Sequence, residues 1–198
     1  MNRIQNSLDY DQKFLNKIAF LDSEQRENII PPEVLLRDMP IKQDHIILDV
    51  GAGTGFFTIP MAERTSNEVY AMDLDLRMLN VIKSKAMEKN LENIKLIHES
   101  LESWSLKNEI IDFVMASLIL HEISCLKESL TKIFEVMKVG GHLLCIEYEK
   151  DESILEGPPM DIRVQSKDLE KTLVSIGFKI VKNTKINNAI YTVLAEKK

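Results

Sequence analysis

The sequence predicts an α/β protein, a three-layer sandwich in which a mostly parallel sheet carries helices on both faces. Three observations lead there. Apolar, strand-length runs alternate with amphipathic stretches from residue 45 to residue 176, and strands joined by helical crossovers pair in parallel. A glycine-rich turn, Asp49-Val50-Gly51-Ala52-Gly53-Thr54-Gly55, joins the first strand to the first of those helices. The chain closes on two apolar runs around a polar turn, which reads as an antiparallel hairpin.

Residues 1–40 read as a helical arm ahead of the main domain at 41–198. Leu8, Phe14, Leu15, Ile18 and Ala19 recur at helical spacing. Asp22 with Gln25 resembles a capping box that opens a second short helix. Pro31-Pro32 stops it, Pro32-Glu33 opens a third through Leu36, and Pro40 ends that one. Such an arm either covers a sheet edge or closes over a ligand at the strand ends. The first strand is His45-Ile46-Ile47-Leu48. After the glycine turn a helix runs to Glu63 or Arg64, with Pro60 tolerated in its first turns. Residues 68–72 form the second strand, which ends at Asp73. Asp75 caps a helix through Met87, with Met78, Leu79, Ile82 and Ala86 on one face, and Asn90 ends it.

Residues 94–97 and 110–116 form the third and fourth strands. The helix from Leu126 to Met137 turns Leu130, Ile133, Phe134 and Met137 inward. Gly140-Gly141 then turns into a fifth strand at 142–148. A polar loop at 149–165 contains Gly157-Pro158-Pro159. Ser166 caps a helix to Ser175, and Gly177 terminates it. The closing hairpin pairs 178–183 with 189–195 around Asn187-Asn188.

Composition narrows the function. At 44% hydrophobic and 28% charged, the 198-residue chain has the makeup of a soluble globular domain. A net charge of −6 is a poor match for a phosphate backbone and argues against a nucleic-acid partner. Cys125 and Cys145 fit no metal or redox spacing and sit in apolar contexts, so both read as buried structural thiols. The lack of a disulfide framework predicts a reducing, cytoplasmic setting. The polar N-terminus carries no signal-peptide core. The longest nearly apolar run, 113–120, is far too short to span a bilayer, so membrane insertion is not expected.

Strand, glycine turn and helix together make a nucleotide-binding arrangement. The dinucleotide spacing G-x-G-x-x-G fails in both registers, because Phe56 or Thr58 stands where the third glycine is needed. A phosphate-binding P-loop fails as well, since no Gly-Lys-Ser/Thr follows. What remains is an acidic residue followed by x-Gly-x-Gly-x-Gly at the end of a first strand. Asp73 ends the second strand, and Glu99 follows the third in His98-Glu99-Ser100-Leu101-Glu102. Ser117-Leu118-Ile119-Leu120-His121-Glu122 follows the fourth, and Lys138-Val139-Gly140-Gly141 leads into the fifth.

In these motifs and their order, residues 41–198 resemble the class I S-adenosylmethionine (SAM)-dependent methyltransferases. The resemblance implies a Rossmann-like seven-stranded sheet of order 3-2-1-4-5-7-6, with SAM as cofactor and S-adenosylhomocysteine as product. It implies cofactor contacts from Asp49, Gly51, Ala52, Gly53, Gly55, Asp73, Leu74, Met78, Glu99, Ser100, Leu101 and Ser117. Gly51 and Gly53 would let the backbone pass close to the amino-acid end of SAM. Asp73 would accept the ribose hydroxyls, or else act only as a cap at the strand end. Leu74 and Met78 would flank the adenine, and Glu99 or the Ser100 backbone would bond its edge. Asp49 would act indirectly, through backbone amides of the glycine turn or a water. No metal is implied.

The methyl acceptor has no motif of its own. The Pro-Pro-aromatic motif of amino-methylating nucleic-acid enzymes is absent after the fourth strand, and so is the cysteine cluster of arsenite methyltransferases. Small-molecule members build the acceptor pocket from the arm, the segment after the fourth strand and the loop after the fifth. Here those hold Tyr10, Phe14 and Arg26; His121 and Glu122; and Glu147, Tyr148, Pro158, Pro159 and Arg163. His121 is the candidate base, because it titrates near neutrality at a strand end, or it is a hydrogen-bonded structural histidine. Arg163 either anchors an anion or sits in a loop stiffened by its prolines. Trp104 reads as a packing residue. The expected function is methyl transfer to a small molecule. An RNA or protein acceptor, or a non-catalytic SAM-binding module, is the alternative.

Overall fold

A computed structural model describes residues 2–104, 106 and 108–198 of the chain, with side chains from residue 12 onward. Three helices form the arm: α1 (Asn2–Leu21), α2 (Glu24–Ile29) and α3 (Pro32–Arg37). Ser23 rather than Asp22 caps α2, its hydroxyl accepting the Arg26 amide at 3.2 Å. The capping-box reading of Asp22 is thereby corrected, because its carboxylate is committed to long-range partners. It accepts the Thr54 hydroxyl at 2.6 Å and the Lys85 ammonium at 2.8 Å. Pro32 opens α3, where its missing donor costs nothing.

The alternating unit follows as expected: β1 (Ile47–Val50), α4 (Thr58–Ala62), β2 (Val69–Met72), α5 (Leu76–Glu88) and β3 (Ile94–Ile97). Then come β4 (Ile111–Ser117), α6 (Leu126–Val136), β5 (Met137–Tyr148), α7 (Ser166–Ile176), β6 (Phe178–Lys185) and β7 (Ile190–Lys197). The sheet order is β3-β2-β1-β4-β5-β7-β6, the predicted one. Strands β1 to β5 run parallel, and β7 runs antiparallel to both β5 and β6.

Several boundaries move for physical reasons. Strand β1 begins after Ile46, whose amide donates to the Asp112 carboxylate at 2.8 Å instead of to a neighbouring strand. Lys138 holds the same carboxylate at 2.8 Å. Strand β5 begins at Met137, before the glycine pair, and Gly140 takes a left-handed φ of 81° where the pairing with β4 is irregular. Ser166 is the first residue of α7 and not its cap; its amide and hydroxyl both donate to Glu149, at 3.0 and 2.6 Å. Cys145 is buried as expected, but Cys125 is exposed just ahead of α6.

The two faces of the sheet sort the core by strand alternation. Val114, Ala116, Leu143 and Cys145 face α6 and α7, and Trp104 is buried with them. Phe113, Met115, Leu144 and Ile146 face the other way, against Phe57 and Met61. Ile30 and Leu36 of the arm join this second cluster, so the arm is packed onto the sheet and not appended to it.

Candidate cofactor and acceptor site

The carboxyl ends of β1, β2, β4 and β5 open into a cavity of about 950 Å³, near the top of the roughly 300–1,000 Å³ usual for small-molecule sites. Its floor is the glycine turn. Gly51 has φ 66° and lies against Ile119, so an added Cβ would sit 2.4 Å from that side chain. Only glycine permits both the backbone conformation and the contact. An added Cβ on Gly53, φ 54°, would lie 3.4 Å from Leu21 Cδ1, so the arm lies directly over this turn. The Asp22–Thr54 hydrogen bond ties the two together.

Asp73 ends β2 and organises the turn. One carboxylate oxygen accepts the Gly53 amide and the other the Asp75 amide, both at 2.8 Å. Each oxygen keeps a second lone pair, and the residue lines the cavity. Asp49 behaves differently from the expectation. It is buried and accepts the Thr58 hydroxyl at 2.6 Å, so its partner belongs to α4 and not to the glycine turn. Burial is the main reason its carboxyl is pushed up to about 7, against the Thr58 hydrogen bond and the Arg26 charge.

The cavity brings together Gly51, Ala52, Gly53, Asp73, Leu74, Glu99, Ser100, Leu101 and Ser117 of the residues expected to hold the cofactor, and His121, Glu122 and Tyr148 of those expected on the acceptor side. Asp49, Gly55 and Met78 stand behind this lining. Gly55 packs on Ile82, and Met78 is buried beneath α5. Phe14 lies under the Arg77 guanidinium, 4.0 Å from ring centre to Cζ, and is likewise outside the lining. The Tyr10 side chain falls outside the described residues.

Just past β4, His121 Nδ1 is 2.7 Å from Glu147, which is fully buried and also accepts the Leu120 amide at 2.7 Å. A carboxylate partner places the proton on Nδ1 and leaves Nε2 as the basic atom. Burial pulls the imidazole pKa down, but the Glu147 hydrogen bond and charge, with Glu122, outweigh it and hold the pKa above its ordinary value. Arg163 is not an anion anchor. It is buried and donates to the carbonyls of Pro158, Glu149 and Glu156, at 2.8, 3.3 and 2.6 Å. It clamps the loop after β5, so that Gly157 packs on the Tyr148 ring.

Sequence reasoning missed part of the wall. Lys17, Phe20, Leu21, Gln25, Ile29 and Ile30 line the cavity from the arm. The helical period of the arm could mark its apolar face, but not what that face covers. The donor set fits SAM. A backbone turn open to the cavity, a strand-end carboxylate with spare lone pairs, and the buried Ser117 Oγ and Arg26 Nε, which meet no partner among the described residues, suit a polar nucleoside bearing an amino acid.

Comparison with known proteins agrees with that geometry. Residues 47–141 match the family model described as a methyltransferase domain. A demethylmenaquinone methyltransferase of Geobacillus sp. is 32% identical over 117 residues, 58% of this chain and 50% of that protein. A ubiquinone/menaquinone biosynthesis C-methyltransferase of Zymomonas mobilis is 28% identical over 111 residues, 56% of this chain and 45% of that protein. The chain thus spans about half the length of these curated relatives. Among solved structures, a SAM-dependent methyltransferase from Aquifex aeolicus superposes with a TM-score of 0.82 at 25% identity, covering 91% of this chain and 96% of that one. The [4+2]-cyclase SpnF shares the fold at a TM-score of 0.78 and 16% identity, over 88% of this chain and 83% of that one. The architecture by itself therefore does not dictate the reaction.

Proposed function

From the premise that this chain belongs to the class I SAM-dependent methyltransferases, we propose that it transfers a methyl group from SAM to a small, largely apolar acceptor. The observation that carries this reading is one cavity lined by the glycine turn, Asp73 and His121, with the His121 ring held from behind by the buried Glu147 carboxylate. When bound, SAM supplies a methyl group on a positively charged sulfur. Asp73 accepts the ribose hydroxyls on its free lone pairs while pinning the turn through Gly53. Leu74 and Leu101 flank the adenine, and Glu99 with the Ser100 backbone bonds its edge. The arm and the loop after β5 exclude water and hold the acceptor in line with the methyl.

His121 takes the acceptor's proton on Nε2 as the acceptor's electron pair forms the new bond to the methyl carbon; the carbon–sulfur pair stays with sulfur. Glu147 fixes the ring and stabilises the imidazolium so formed. Ile29, Ile30, Leu118, Ile119 and Ile190 give the acceptor space an apolar wall. That wall, with the names of the quinone-methylating relatives, makes a hydroxylated aromatic ring of the quinol type the first acceptor to test.

The test is an incubation of purified protein with methyl-labelled SAM and a panel of phenols, quinols, amines and carboxylates, beside RNA and protein extract. Label is expected in an aromatic hydroxyl or ring-carbon product. Label that moves only to RNA or protein overturns the small-molecule reading.

A further inference from the structure

We propose that Arg26 of the arm receives the α-carboxylate of SAM on its Nε–Nη2 edge, so that the arm is held more firmly on the glycine turn when the cofactor carries that carboxylate. This rests on the reading that SAM binds at the glycine turn. Arg26 stands on α2 with its guanidinium 4.2 Å above the Phe56 ring. Its side-chain hydrogen bond, from Nη1 to the Leu21 carbonyl at 3.1 Å, closes the end of α1. Nε is buried and meets no acceptor among the described residues. An unpaired, buried donor on a cation is costly, and the edge left over is the one that grips a carboxylate with two parallel bonds.

Charge in the cavity makes such a cation necessary. The described lining residues include the carboxylates of Asp73, Asp75, Glu99, Glu102, Glu122 and Glu156, against the permanent cations Lys17 and Arg26. That field attracts the ammonium and the sulfonium of SAM and repels its carboxylate. Lys17 is exposed and acts on Asp75, at the ribose end. Arg26 acts on Asp49 and Tyr148, beside the glycine turn where the amino acid belongs. The arm is already poised there. Asp22 bridges Thr54 and Lys85, and Leu21 lies over Gly53.

The experiment compares binding of SAM and of decarboxylated SAM, which keeps the ammonium and loses only the carboxylate. Wild type should prefer SAM. Arg26→Gln should weaken SAM about 10- to 100-fold, leave decarboxylated SAM unchanged, and so erase the preference; Arg26→Lys should restore part of it. Amide exchange in residues 17–30 of the wild type should slow with S-adenosylhomocysteine but not with 5′-methylthioadenosine, which decides the matter if Arg26→Gln misfolds. An undiminished preference for SAM in a folded Arg26→Gln protein overturns the proposal, as does equal slowing by both nucleosides. A raised acceptor KM with unchanged SAM affinity also overturns it and moves Arg26 to the acceptor. Failure of wild type to bind either sulfonium is a different result, and rejects the SAM site itself.

Discussion

At the scale of single residues, the His121–Glu147 pair gives the clearest chemical expectation. A fully buried carboxylate holds Nδ1, and the raised imidazole pKa means that the ring is still protonated somewhat above its ordinary 6.5. A base must be neutral to accept a proton. The rate constant kcat/KM should therefore climb with pH through that raised value, not below 6.5. His121→Asn can keep a donor toward Glu147 and should cut kcat by about 100- to 10,000-fold and remove the ascending limb. Full turnover with an unchanged pH profile would make His121 structural. The same pair contributes stability that is fully present below the ordinary histidine pKa and is lost as pH rises through the raised one. His121 was legible as a cavity residue because it stands just past the end of the fourth strand. Glu147 was legible only as a pocket residue. That it orients the histidine depends on β4 and β5 being neighbours, which is a fact of topology.

At the scale of elements, the loop after β5 owes its shape to Arg163. Three backbone carbonyls converge on one buried guanidinium, and the loop is thereby held over Tyr148. Arg163→Ala leaves those carbonyls unsatisfied and should lower stability by about 1–3 kcal/mol, read by denaturant unfolding. Proteolytic nicking within residues 150–165 should accelerate with it, and acceptor selectivity should broaden. A protein that keeps its stability and loses only affinity for anionic acceptors would restore the anion-anchor role. Local sequence signals served well wherever the element was closed by its own residues. Strand β3 and the Asp75 cap of α5 fall where expected, because both are set by neighbours in the chain. Asp22, Ser166 and the start of β1 were misread because their partners are Thr54, Glu149 and Asp112, which no local pattern connects to them.

At the scale of the whole molecule, the sheet order places the glycine turn, Asp73 and the His121 segment at one edge, where the strands' carboxyl ends converge. The reversal of strand order between the parallel neighbours β1 and β4 opens the crevice that ligands use in such sheets. The arm then supplies further wall and the half-buried Arg26. The order of motifs made the fold and the cofactor side readable. The rest of the cavity lining was not, because it comes from the arm and two loops that share no periodicity. The central claim is that the glycine turn and Asp73 form an S-adenosyl site, and calorimetric titration with S-adenosylhomocysteine tests it most directly. Saturable binding to wild type, weakened at least about 10-fold by Asp73→Ala in a protein that still folds, is the predicted result. No binding of either S-adenosylhomocysteine or SAM, or an affinity untouched by Asp73→Ala, would contradict it.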